Sequence, residues 1–121
     1  MAGYSRGGEI AARFVHAGDE AFAGLVLIGT SHPRDLTLAG TDVPVTRIFG
    51  TRDTVADAEK LEATRHNLPA STTLVRIEGG NHSQFGHYGF QPGDWPATIT
   101  REAQQRIMLE AILASLAAAS P

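Results

Sequence analysis

Ala23-Gly24-Leu25-Val26-Leu27-Ile28-Gly29 is a short run of apolar residues closed at both ends by glycine, with no polar residue alternating through it. That is the pattern of a strand buried on both faces of a parallel sheet. Val45-Thr46-Arg47-Ile48-Phe49-Gly50, entered from Pro44, and Thr73-Leu74-Val75-Arg76-Ile77 read as two more. The intervals carry helical periodicity. Residues 8–17 place Ile10, Ala11, Phe14 and Val15 at helical spacing and stop at Gly18, a natural residue for the left-handed position after a helix. Residues 57–67 put Ala58, Leu61 and the following Leu68 on one side, and residues 100–118 carry Ala103, Ile107, Ala111 and Ile112 on one stripe. Strands alternating with helices predict an α/β layer architecture, here about three parallel strands with flanking helices. The final Ala117-Ala118-Ala119-Ser120-Pro121 reads as a fraying end.

A chain of 121 residues predicts one domain, 1–121. Its 42% hydrophobic and 19% charged residues exclude a disordered chain. Thirteen acids against ten scattered bases give a net charge of -3, which speaks against a nucleic-acid surface. The absence of cysteine excludes disulfides, thiolate metal sites and a cysteine nucleophile. No apolar run is longer than that of Leu25 to Ile28, far short of the ~20 residues of a membrane span, and no signal peptide is expected at the start. No membrane association is expected, and a cytoplasmic location is the default.

Gly3-Tyr4-Ser5-Arg6-Gly7 is a G-x-S-x-G pattern. Small residues two before and two after the serine permit a tight strand-to-helix turn that pushes the hydroxyl outward. The helix behind it aims amides and a positive dipole end at the same spot, favouring an oxyanion there. Such a serine needs a base and a group that orients the base. Asp53 lies just past the second strand, in Gly50-Thr51-Arg52-Asp53, and His82 just past the third, in Gly79-Gly80-Asn81-His82-Ser83. Both positions fall at the C-terminal edge of a parallel sheet, where ligands bind. Asp53 is also compatible with capping the next helix, and Asp57, read as lying inside that helix, is the weaker rival acid. His87 and Asp94 raise the question of a metal, but no closed ligand spacing accompanies them, so no metal is expected. Surface roles suffice for His16, His32 and His66. Among the aromatics Tyr4, Phe85, Tyr88, Phe90 and Trp95, we single out Tyr4, Phe85 and Tyr88 as candidates for a substrate pocket.

With serine, aspartate and histidine in that order, the chain resembles the C-terminal portion of an α/β-hydrolase fold, starting at the nucleophile elbow. Within that superfamily it most resembles the esterase-like fold-5 group, through Gly79-Gly80-Asn81-His82-Ser83-Gln84-Phe85-Gly86 and the following Tyr88-Gly89 and Gln91-Pro92-Gly93-Asp94. The resemblance implies a serine esterase of the carboxylesterase type with a catalytic triad. Ser5 would be the nucleophile, His82 the general base and acid, Asp53 its orienting carboxylate, and the Arg6 backbone N–H one donor of the oxyanion hole. No cofactor is implied. The family's second oxyanion donor comes from a loop after an early strand, to which no residue here corresponds. On this reading the domain is N-terminally truncated, its missing part is supplied in trans, or its edge is closed by dimerisation. The 16 residues from Gly29 to Pro44 leave no room for a lid, which suits small, short-chain ester substrates. The rival expectation is a non-catalytic half-domain, an interaction module or truncation product that keeps the triad residues and forms a homo-oligomer through an open sheet edge.

Overall fold

The computed structural model describes residues 1–89 and 91–119. In chain order the elements are β1 (Ala2–Tyr4), α1 (Arg6–Ala17), β2 (Leu25–Ile28), β3 (Val45–Gly50), α2 (Ala58–Thr64), β4 (Thr73–Ile77) and α3 (Arg101–Ala119). Single 3-10 turns follow at Arg65–Asn67 and Ser83–Phe85. The strands form one parallel sheet in the order β1-β2-β3-β4. The sheet therefore has four strands rather than the three expected. β1 escaped the sequence reading because Ala2-Gly3-Tyr4 is too short and too glycine-rich to show an apolar run. Its pairing, Ala2 with Val26 and Tyr4 with Ile28, makes it a strand.

Alternation along the strands sorts the core into two halves. Leu25, Leu27 and Val45 face Ala11, Ala12 and Val15 of α1. Val26, Ile28, Ile48 and Ile77 face the other way, toward Met108, Ala111 and Ile112 of α3. The sheet is thus the middle of three layers, which is why β2 is buried at every position. On α3 the inward stripe is Gln104, Met108, Ala111 and Ile112, with Ile107 turned to solvent; with alanines scattered all round, the helix has no apolar face sharp enough to set its phase. On α1 the buried positions are Gly8, Ala11, Ala12 and Val15, while Ile10 and Phe14 are exposed. Gly18 closes α1 in the left-handed conformation, at φ 72°. Asp57 is the N-cap of α2, accepting the Lys60 amide at 2.9 Å, rather than an interior residue. Of the side expected for that helix, Leu61 and Leu68 are buried and Ala58 is exposed.

Arg47, at the middle of β3, is 2% exposed and ties this framework to the loop of residues 29–44. Its guanidinium donates to the carbonyls of Leu61 in α2 and His32 in the loop, at 3.1 and 3.2 Å, and to the Thr64 hydroxyl at 3.2 Å. Burial lowers its pKa to about 10. The 29–44 loop carries no helix, and no helix of the described residues is long and apolar enough to cross a membrane. Ser120 and Pro121 of the tail read as fraying, and Phe90, lie outside the described residues.

Candidate functional site

In a parallel sheet every strand ends on the same rim, and three strand ends here carry the three residues singled out above. Ser5 follows β1, Asp53 follows β3 and His82 follows β4. Ser5 sits in the turn between β1 and α1 at φ 53°, ψ -118°, the one non-glycine with positive φ among the described residues. An L-residue holds such a conformation only where its surroundings impose it. Here the Ser5 amide donates to the Ile28 carbonyl at 2.9 Å, and its own carbonyl accepts the Gly8 amide at 2.9 Å. Glycine at position 3 is required because a Cβ there would run into the Gly7 carbonyl of the turn. The Arg6 amide opens the first turn of the twelve-residue α1, where orphan N–H groups and the helix dipole favour negative charge.

Asp53 and His82 meet in the interior. His82 Nδ1 lies 2.9 Å from Asp53 Oδ2, with side chains 3% and 0% exposed. The other oxygen, Asp53 Oδ1, accepts the amides of Val55 and Ala56 at 2.8 and 2.7 Å. Asp53 therefore shapes its own loop but does not cap α2. The His82 loop is fastened from several sides. Arg52 N donates to Gly80 O at 2.8 Å and Gly79 N to Thr51 Oγ1 at 2.8 Å, sewing the loops after β3 and β4 together. Their approach is so close that a Cβ on Gly50 would strike the Gly80 carbonyl.

Asp94 completes the fastening, and its part was missed in the sequence. Its Oδ2 accepts the amides of His82 and Ser83 at 3.0 and 3.1 Å. A buried carboxylate occupied by backbone amides is a loop clamp, a role not expected for Asp94, which the sequence offered within the resembling stretch of residues 91–94 and weighed for a metal beside the exposed His87. From above, the Tyr4 hydroxyl donates to the His82 carbonyl at 2.8 Å, and the two rings lie 5.1 Å apart. Burial, then Tyr88, Asp53 and Asp94, raise the Tyr4 pKa well above its ordinary value, so the phenol stays a proton donor.

Ser5 and His82 both line a cleft of about 310 Å³. Its remaining walls are Arg6, Glu9, Val55, Ala56 and the start of the loop after β2: Gly29, Thr30, Ser31, His32 and Arg34. Tyr4, Phe85 and Tyr88 are not among the lining residues. Phe85 is packed into the α3-side core, and the exposed Tyr88 stacks on Tyr4 at 6.1 Å. His32, read as a surface residue, instead lines the cleft with its Nε2 3.7 Å from Glu9. Burial, then Arg34, lowers its pKa, favouring the neutral ring. Neither His32 nor Arg34 could be read from the sequence as part of a site, because an irregular loop has no periodicity to aim its side chains.

Residues 1–106 match the model of the Alpha/beta hydrolase family. The chain belongs to the alpha/beta hydrolase family. Solved structures agree in fold. MGS-MChE2, an alpha/beta hydrolase enzyme from the metagenome of sediments of the lagoon of Mar Chica, Morocco, superposes with a TM-score of 0.63 at 18% identity over 93% of this chain. TT1662 from Thermus thermophilus gives 0.55 at 18% identity over 95% of this chain. This alpha/beta hydrolase chain spans 60% and 53% of the lengths of those two proteins. No curated protein shows a significant sequence match to it.

Proposed function

We propose that this alpha/beta hydrolase chain hydrolyses carboxylic esters of small, short-chain acids through an acyl-enzyme. The observation that carries the reading is the buried 2.9 Å bond between His82 Nδ1 and Asp53 Oδ2, made by a histidine that shares a cleft with Ser5. A carboxylate on Nδ1 holds the proton there and leaves Nε2 as the base. Imidazole can take a serine proton and hand it on to a leaving group, the general acid–base role most often filled by histidine.

In this scheme Ser5 Oγ attacks the ester carbonyl as His82 takes its proton. The carbonyl oxygen gains negative charge against the Arg6 amide and the N-terminal end of α1. His82 then protonates the departing alcohol, and water, deprotonated by the same ring, releases the acid and restores Ser5.

Labelling with a fluorophosphonate, which captures an activated serine, tests the assignment. The chain is expected to label and the Ser5→Ala variant to be silent. Equal labelling of both, or none of a chain shown to be folded by circular dichroism, would overturn it and leave the reading as an interaction module.

A further inference from the structure

The charges lining the cleft do not balance. Arg6 and Arg34 stand against Glu9 alone. Glu9 is already engaged, accepting from Arg13 at 3.1 Å and lying 3.7 Å from His32 Nε2. The bond to Arg13, above all, lowers its pKa, so it is ionised and spoken for. Neither Arg6 nor Arg34 has a carboxylate within ion-pair distance among the described residues, and Asp35 is the other acid near this wall. His32 adds no positive charge in its favoured neutral state.

Arg34 is also held in a particular way. Its Nε donates at 2.9 Å to the hydroxyl of Ser31, a buried residue. That bond fixes the root of the guanidinium while both terminal nitrogens remain without a hydrogen-bond partner among the described residues. A planar fork anchored at one nitrogen and open at the other two is the geometry that takes a carboxylate or phosphate oxygen pair.

From this we infer that the cleft selects esters bearing a second, anionic group, a free carboxylate held by Arg34 with Arg6 adding attraction, while the ester carbonyl lies at Ser5. The inference rests on the ester-hydrolase reading above and adds a substrate class to it. Arg34 is exposed, so an apolar ester would leave its fork to solvent, whereas a half-ester of a dicarboxylic acid would pair it.

The test compares two esters of one shape: the 4-nitrophenyl monoester of adipic acid and 4-nitrophenyl 6-methylheptanoate, in which an isopropyl group replaces the carboxylate. The kcat/KM for the anionic ester should exceed that for its neutral twin about two- to fivefold, the scale of an ion pair at an exposed arginine. The ratio should shrink as salt rises. Arg34→Gln should bring it toward one, Arg34→Lys should keep part of it, and Arg34→Glu should invert it. Both esters are read on one preparation, so loss of folded protein cancels from the ratio. Turnover of the neutral ester with a ratio of one or below overturns the anionic preference while leaving the hydrolase reading intact. A ratio unmoved by Arg34→Gln overturns the assignment to Arg34. Turnover of neither ester overturns both readings.

Discussion

The two oxygens of Asp53 have different partners, and substitutions can separate what each does. Oδ2 meets His82 Nδ1, while Oδ1 takes the amides of Val55 and Ala56. Asparagine can keep its oxygen on the two amides but must present an NH2 to the ring, forcing the proton onto Nε2, where it blocks base action. Asp53→Asn is therefore expected to lower kcat by about 10⁴-fold, the cost of the wrong tautomer in a serine protease, with little change in the urea midpoint. Asp53→Ala also orphans the amides and should cost about 1–3 kcal/mol of stability for each that stays buried. Near-normal turnover by the asparagine variant would show that the carboxylate does not govern the ring. At this scale the sequence made legible only the place of Ser5, Asp53 and His82 just past strand ends, at glycine-marked turns. Asp94 was opaque because its partners are backbone amides, which carry no signature in sequence.

Among the elements, α3 does more than cover the sheet. Gln104, 0% exposed, accepts the Asn81 amide through Oε1 at 3.1 Å and donates through Nε2 to the Asn81 carbonyl at 2.7 Å. Oε1 also accepts from Gln84 Nε2 at 3.0 Å. The helix thus grips the residue next to His82, acting on the histidine by positioning its backbone. Gln104→Met preserves length and volume but removes these bonds, leaving the Asn81 amide and carbonyl unpaired. We expect a loss of about 1–3 kcal/mol per unsatisfied group in urea denaturation. The fall in turnover should sit in kcat more than in KM, because the cleft walls do not include Gln104. A variant with lost stability but unchanged kcat would show that the grip is structural only. The strands β2 and β3 were legible because glycines or proline bound their runs of apolar and β-branched residues, and β4 through its own β-branched and apolar residues. The inward phase of α3 was not, since its one fully buried polar residue answers to a loop some 20 residues back in the chain.

For the molecule as a whole, parallel pairing is what turns distant sequence positions into neighbours, and the same pairing leaves β1 at an outer edge of the sheet. Its three residues bond to β2 on one side, and among the described residues no strand meets the other. On α1, which packs on this strand, Ile10 and Phe14 stand one turn apart and are 57% and 55% exposed. An open strand edge and a neighbouring pair of exposed apolar side chains both favour association. Sedimentation velocity across a concentration series should therefore show the chain moving from monomer to larger species as concentration rises. Replacing Ile10 and Phe14 together by glutamate should shift the distribution back to monomer. Neither side chain belongs to the inward face of α1, so urea stability should change by about 0.5 kcal/mol or less. A chain that stays monomeric throughout would mean that the shortness of β1, rather than any cover, suffices to protect the edge, since three residues offer too few backbone groups to hold another strand.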